Sequence, residues 1–241
     1  MSSALQGVFV FILLPVVAII VGGVVAAFSP PGPQLQSYLQ HFAAGVVFAA
    51  AAGEVLPEIM HERSAFALIV GFALGVAAML GIKWLTERLE QREASKTEQP
   101  TRLMLVVGID LLIDGLLVGV GFAAGAKIGL LLTIALTLEI LFLGLSTAAE
   151  LTEAGATRGR VILTSAGLGL LVAVGAAVGV TLLNGLSGIA LETVLSFGAA
   201  ALLYLVTEEL LVEAHEIPDT PLITASFFVG FLVLFVIEMI A

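Results

Sequence analysis

The hydrophobic positions of this 241-residue chain form long continuous runs that short polar segments separate. A helix needs about 20 apolar residues to cross the hydrocarbon core of a bilayer. Runs of this length predict eight spans, at residues 4–28, 38–59, 65–85, 103–126, 128–149, 161–183, 190–212 and 221–240. Because the runs do not alternate with polar residues as membrane barrel strands do, we predict an all-α polytopic membrane protein, with one transmembrane domain over residues 1–241.

Basic residues are distributed unequally between the two sides of the predicted spans. Seven Lys and Arg residues lie on one side, and only Arg63 and Lys127 lie on the other. Because cytoplasmic loops carry the excess of Lys and Arg, we predict that the polar loop over residues 86–102 is cytoplasmic. Both termini are then outside, and the expected location is the cell (plasma or inner) membrane.

Two parts of the chain are similar at a fixed offset of 155 residues. Apolar and acidic residues of the second span fall on residues of the same kind in the seventh: Phe42, Ala44, Glu54, Leu56 and Glu58 on Phe197, Ala199, Glu209, Leu211 and Glu213. The second and seventh spans cross the membrane in opposite directions, so the similarity predicts an inverted repeat, which is typical of transporters. Chance similarity between two Ala-rich helices is the alternative. A weaker similarity, at an offset of 29, relates Asp110–Leu116 to Glu139–Leu145.

Composition adds an acidic excess to this apolar chain. Hydrophobic residues make up 60% of it and charged residues 12%, with a formal net charge of −10. Soluble domains carry about 25% charged residues, so the composition excludes a soluble enzyme and a nucleic-acid-binding protein. Cys is absent, which excludes disulfides and thiolate metal sites.

Three acids lie near the centre of predicted spans: Asp110 and Asp114 in the fourth, and Glu139 in the fifth. The i, i+4 spacing places both aspartates on one helix face. A carboxylate at this depth costs about 2.5–3.5 kcal/mol on insertion scales, and Lys83 and Lys127 lie only at span ends. A set of oxygen ligands suits Mn²⁺, Mg²⁺ or Zn²⁺ better than Cu(I). We interpret the three acids as a metal site; the alternative is protonated acids that hydrogen-bond neighbouring helices.

Acids and histidines also gather at one end of the second span and one end of the seventh. The outer-path residues are Glu54, Glu58 and His61, and the inner-path residues are Glu208, Glu209, Glu213 and His215. Acidic clusters raise the local concentration of cations, so we predict that the two groups mark the ends of one cation path. The alternative is interfacial side chains that extend into the headgroups. Glu192 and Glu238, near span ends, are expected to be solvated.

Several segments resemble the ZIP (Zrt/Irt-like) family of divalent metal transporters. The segments are Phe42–Gly45 with Leu56–Glu58, Phe197–Ala200 with Glu208–Leu210 and Glu213–His215, and the step Asp114-Gly115-Leu116. The resemblance implies a ZIP-like eight-helix fold that takes up metal by an elevator-like or rocking movement, with a homodimer as one arrangement. By position, Asp110 and Glu139 stand where the family has histidines, and Asp114 matches its bridging acid. Other ligand positions carry groups that cannot bind metal: Leu111, Ile140, Leu143 and Val172.

The leading hypothesis is a membrane transporter that moves divalent metal cations into the cytoplasm through Asp110, Asp114 and Glu139. The metal (Zn, Mn, Fe, Cd or similar) is the substrate, and no permanently bound cofactor is expected. The expected partners are the lipid bilayer and the metal ions, without nucleic acid. Two alternatives stay open: a degenerate, non-transporting ZIP-like sensor or scaffold, and a proton-coupled transporter of another solute. An enzyme is not expected, because the chain has no His-Glu-x-x-His segment of the kind found in metalloproteases.

Overall fold

The computed structural model describes residues 3–62, 64–93, 99–183, 185–218 and 220–240, and these residues form helices with short connections. The helices are α1 (Ser3–Phe28), α2 (Pro33–Ala50), α3 (Leu56–Glu62), α4 (Ala65–Glu93), α5 (Gln99–Ala124), α6 (Ala126–Glu153), α7 (Arg158–Leu183), α8 (Gly188–Tyr204), α9 (Leu211–Ala214) and α10 (Pro221–Ile240). Two π-helical segments, Ala51–Val55 and Leu205–Leu210, join α2 to α3 and α8 to α9. Within the described ranges, eight of the resulting helical rods are long and apolar enough to cross a membrane. The all-α polytopic fold class is therefore confirmed.

Several helices extend further than the hydrophobic runs that predicted them. α2 starts at Pro33, five residues before the predicted span 38–59, because proline is well accommodated in the first turn of a helix. Most of the predicted loop over residues 86–102 is helical, since α4 runs into it and α5 begins before its end. Hydropathy detects only the apolar part of a helix, whereas polar side chains can continue it; the Arg88 guanidinium, for example, lies 3.9 Å from the centroid of the Trp84 ring.

The helices pack with a pseudo-two-fold pattern. α1 packs against α6 as α7 packs against α5, and α2 packs against α10 as α8 packs against α4. The π-helical segments correspond as well, because the Leu56 N–H donates to the Ala51 carbonyl and the Leu211 N–H to the Val206 carbonyl. Both hydrogen bonds span five residues and are related by the offset of 155 that the sequence predicted. The packing confirms the inverted repeat.

Repeat-related glycines allow the helices to approach closely. A Cβ on Gly230 of α10 would collide with the carbonyl oxygen of Phe42 on α2. A Cβ on Gly75 of α4 would come within 2.7 Å of the carbonyl oxygen of Phe197 on α8. Small residues at such contacts are typical of helix packing in membranes, and here they hold the two halves in matching geometry.

The packing divides the helices into two groups. The α5–α6 group comprises α1, α5, α6 and α7, and the α2–α8 group comprises α2, α3, α4, α8, α9 and α10. Contacts between the groups are made mainly by α2 with α6 and by α8 with α5. The acids singled out by sequence lie on these four helices or on the segments that continue them, so the site is built where the groups meet.

Candidate metal site and cation path

Three carboxylates converge where α5 packs against α6. Asp110 and Asp114 lie one turn apart on α5, and Glu139 reaches them from α6; one oxygen from each lies within 4.8 Å of the others. Asp114 and Glu139 are each 1% exposed, and Asp110 is partly buried. Two oxygens that bind one divalent ion at about 2.0–2.6 Å are at most about 5 Å apart, so this spacing suits a single ion.

The cluster has oxygens without hydrogen-bond partners. Asp114 Oδ2 and Glu139 Oε2 are buried and unpaired within the described part of the chain. Among the described side chains, Lys83 forms an ion pair with Glu208 and Lys127 with Glu54. Neither lysine is paired with a carboxylate of the cluster. A buried carboxylate costs several kcal/mol unless a partner compensates it. A cation or shared protons must therefore neutralise these three acids.

A cavity of about 200 Å³ connects the cluster with one end of the helix bundle. Asp110 and Glu139 line its inner part, and Lys83 lies where it reaches the surface. Three inner-path residues also line it: Glu208, Glu209 and Glu213. This is the end at which α4 is followed by α5, so the cavity opens toward the predicted polar loop.

Glu209 lies closer to the cluster than its sequence position indicated. Its carboxyl group is a close neighbour of that of Asp110, and both line the cavity, although the sequence placed Glu209 at the end of a path. Neighbouring carboxylates disfavour each other's charge, and a proton or a cation between them relieves the repulsion. Glu209 is thus a fourth acid beside the three that the sequence selected.

The other inner-path residues have different surroundings. Glu208 forms an ion pair with Lys83 at 3.0 Å, with both side chains nearly half exposed. Glu213 Oε2 accepts a hydrogen bond of 2.7 Å from Gln40 Nε2, which the sequence analysis did not select. Glu213 also lines a second, polar cavity of about 120 Å³. His215 is among the lining residues of neither cavity.

The ring of His215 instead meets the ring of His41 edge-on, with 5.0 Å between centroids. His41 is buried, and its Nδ1 lies 2.9 Å from the Ser37 carbonyl oxygen. The contact joins the start of α2 to the end of α9. Within the described residues, the histidine of the inner path is therefore placed at a helix contact beside the cavities.

The outer-path residues lie at the opposite end of the bundle. Glu54 is 8% exposed, and its Oε1 lies 3.3 Å from Lys127 Nζ, without the angle of a hydrogen bond. Glu58 is partly exposed, and the side chain of His61 lies outside the described residues. Neither Glu54 nor Glu58 lines the two cavities described above. On α6, Leu131 and Ala135 lie between Lys127 and Glu139 and are each 0% exposed, so the described residues are closely packed at this end.

The family model of the ZIP zinc transporters matches residues 87–238, which is more than half of the chain. The chain belongs to the ZIP zinc transporter family. Comparison with curated proteins finds no match. The matched segment contains the three clustered carboxylates and the inner-path residues. ZIP proteins are divalent metal transporters, not enzymes, so this ZIP protein is a multi-pass membrane protein whose substrate is a metal ion.

The apolar side chains that replace family ligands in this ZIP chain lie in the hydrophobic core or beside the cluster. Leu111, Ile140 and Val172 are each 0% exposed and belong to the hydrophobic core. Leu143 lines the cavity next to the cluster. The donor set of the cluster is therefore three carboxylates, with Glu209 adjacent.

One expectation about this ZIP chain was wrong. Glu192 was expected to be solvated, but it is 1% exposed, and its Oε1 accepts a hydrogen bond of 3.0 Å from the Ser64 N–H. Ser64 immediately precedes α4, where free N–H groups and the helix dipole favour a carboxylate. Sequence position near a span end gave no sign of this partner, because Ser64 is 128 residues away.

Proposed function

We propose that this ZIP protein carries divalent transition-metal ions one at a time through a site formed by Asp110, Asp114 and Glu139. The observation that supports it is the convergence of three carboxylates within 4.8 Å, two of them with buried unpaired oxygens. Zn²⁺, Mn²⁺, Fe²⁺ and Cd²⁺ are the candidate ions. A donor set without imidazole or thiolate gives little reason for a strong preference for Zn²⁺.

The inner-path residues are proposed to carry the ion from this site toward the cytoplasm. Glu209 and Glu213 line the cavity that begins at Asp110, and a path lined with carboxylates concentrates cations. The excess of basic residues at that end supports a cytoplasmic position for it, with both termini outside the cell membrane. Glu54, Glu58 and His61 would then form the outer part of the path.

The site is tested by metal uptake into proteoliposomes with Asp114→Asn and Glu139→Gln, which remove a charge and keep the side-chain shape. We expect each to lower the initial rate of Mn²⁺, Zn²⁺ or Cd²⁺ uptake at least tenfold, since loss of one ligand weakens a three-carboxylate site. Glu153→Gln is the matched control, because Glu153 is an exposed acid at the end of the same helix, α6. Uptake that is equal in Asp114→Asn, Glu139→Gln and the parent would show that the ion takes another route.

The same measurement distinguishes the alternatives. A non-transporting sensor or scaffold would show no uptake by the parent protein, and absence of saturable metal binding would favour it further. Its basis is the four apolar side chains at family ligand positions. A proton-coupled transporter of another solute would show a flux that follows the pH gradient and is indifferent to metals.

Sidedness and oligomeric state are proposals with their own tests. Thr157 and Ser187 are exposed residues in connections at opposite ends of the bundle. In intact cells, an impermeant thiol reagent should label Ser187→Cys, and it should label Thr157→Cys only after permeabilisation. The reverse pattern would invert the orientation. For the homodimer, a mass measurement in nanodiscs should give two chains per particle.

A further inference from the structure

The end of the bundle opposite the open cavity contains an ion pair that joins the two groups of helices. Lys127, at the start of α6, lies 3.3 Å from Glu54 in the π-helical segment that follows α2. The Glu238 carboxyl on α10 lies close to both Glu54 and Lys127. It also lies against Gly53, where a Cβ would come within 2.6 Å of Glu238 Oε2. One lysine of the α5–α6 group thus faces two carboxyl groups of the α2–α8 group.

The exposure of the partners is unequal. The Lys127 side chain is 55% exposed, whereas that of Glu54 is 9% exposed. An ammonium that is half exposed can leave the pair at small cost, because it regains hydration or headgroup contacts. A buried carboxylate that loses its partner is destabilised by several kcal/mol. Departure of Lys127 therefore requires another cation, or a proton, at Glu54.

The opposite end of the bundle provides a contrast. There, Lys83 of α4 pairs with Glu208, which continues α8, and α4 and α8 both belong to the α2–α8 group. This pair does not join the two groups, and the cavity is open beside it. Of these two ion pairs between described side chains, Lys127–Glu54 is the one that joins the two groups. It lies at the end opposite the open cavity.

We infer that Lys127 is a tethered cation that holds the outer end of this transporter closed, and that a cation arriving at Glu54 and Glu238 displaces it. The inference rests on the proposed function, because it takes the arriving cation to be the transported metal. Lys127 is a positioning residue: it acts through Glu54 and Glu238 on the contact of α6 with α2 and α10. The arriving ion supplies the positive charge that Glu54 needs, so binding from this side is linked to separation of the two groups.

Two positions report on the two ends of the path. Ala135 of α6 lies between Lys127 and Glu139 in the sequence and is 0% exposed. Its counterpart at the offset of 29 residues is Val106 of α5, which lines the open cavity. Since the chain has no cysteine, a single Ala135→Cys or Val106→Cys substitution gives one reactive thiol at a known end.

The experiment measures the modification rate of each reporter by a small charged methanethiosulfonate reagent, in metal-free proteoliposomes. Lys127→Met should raise the rate at position 135 at least tenfold and lower the rate at position 106. Lys127→Arg, which keeps the charge, should stay within twofold of the parent. Lys83→Met is the matched control at position 135, because it removes a lysine pair within one group, and the rate there should stay within twofold of the parent. The control is read at position 135 alone, because Lys83 lines the same cavity as Val106. If Lys127→Met does not fold, Lys127→Gln serves the same comparison with a polar head group.

Rates within twofold of the parent for Lys127→Met, at both reporters, would overturn the inference. An equal response of position 135 to Lys83→Met would do the same, because the effect would then be a general consequence of losing a lysine. The assay needs no transport, so it separates this inference from the proposed function. A second arm adds Mn²⁺ to the parent protein: faster modification at position 135 is expected, and an unchanged rate would show that the metal does not displace Lys127.

Discussion

The carboxyl groups of Asp110 on α5 and Glu209 beyond α8 are close neighbours on the wall of one cavity. The contact links the two groups of helices at the open end, as the pair Lys127–Glu54 does at the closed end. Asp110 and Glu209 both line the cavity, whereas Asp114 is almost fully buried behind them. If the proposed site carries a cation, an ion that moves from the cluster into the cavity passes the Glu209 carboxyl group.

Glu209→Gln should lower the initial rate of metal uptake about tenfold, the lower end of the effect expected when a residue that supports a metal ligand is changed. The amide can still hydrogen-bond Asp110, so the protein should fold and the cluster should still bind metal. The measurement is uptake of Mn²⁺ into proteoliposomes beside equilibrium binding in detergent.

His215→Gln is the comparison for this variant, because His215 is an inner-path residue that lines neither cavity. We expect its uptake rate to remain within twofold of the parent. A larger loss of uptake for His215→Gln than for Glu209→Gln would contradict this assignment. It would place His215 on the cation path and leave Glu209 with a structural role.

Metal should stabilise the protein through the same three carboxylates. A ligand at 100 times its Kd adds about 2.7 kcal/mol to the free energy of unfolding when it binds the folded state alone. We expect Mn²⁺ or Cd²⁺ to raise the Tm of the parent in detergent and to leave the Tm of Asp114→Asn unchanged. Without metal, Asp114→Asn should have the higher Tm, because it relieves a buried, uncompensated carboxylate. Glu153→Gln should retain the full metal-dependent rise; a rise in Asp114→Asn as well would place the stabilising ion elsewhere.

Sequence alone was sufficient to predict the eight apolar, membrane-length helices of the described residues and the three acids of the cluster. Long apolar runs identify membrane helices because the bilayer sets their length. The i, i+4 spacing of Asp110 and Asp114 fixed their common face, and the structure brings Glu139 to that face. The role of these residues in metal transport stays a prediction.

Sequence alone could not give the partners that depend on how distant helices meet. Lys127 and Glu54 are 73 residues apart, and their pairing follows from the contact of α6 with the segment after α2. Glu209 was assigned to the end of a path because a continuous apolar run does not reveal a π-helical segment. One additional residue in a helical turn rotates every following side chain, which changes the face that Glu209 presents.

Leu143→His should shift the metal preference toward Zn²⁺. Leu143 lines the cavity one turn from Glu139, so the imidazole has room and can join the carboxylates; Zn²⁺ favours such mixed nitrogen and oxygen ligands. We expect Zn²⁺ to compete with Mn²⁺ uptake about tenfold better than in the parent, a difference of about 1.4 kcal/mol in binding.

Ile140→His is the control, because Ile140 is 0% exposed and packed in the core. An imidazole placed there is buried without a hydrogen-bond partner, which lowers the free energy of unfolding by about 1–3 kcal/mol. Lower stability with an unchanged ratio of Zn²⁺ to Mn²⁺ uptake is expected. An equal shift of the ratio in Leu143→His and Ile140→His would mean that position relative to the cavity does not decide the effect.

Gly230→Ala should destabilise the fold through the contact of α10 with α2. The added Cβ would collide with the Phe42 carbonyl oxygen, and backbone cannot move aside as a flexible side chain can. Overpacking of this kind costs about 1–3 kcal/mol, which should appear as a lower midpoint of thermal unfolding in detergent. Gly75→Ala, at the repeat-related contact with Phe197, should also lower this midpoint.

Gly167→Ala on α7 is the control, because no neighbouring atom lies within 4 Å of the new Cβ. The better helix propensity of Ala should raise its free energy of unfolding by up to about 1 kcal/mol. A Gly230→Ala protein as stable as Gly167→Ala would show that the helices do not approach as closely at this contact as the repeat requires.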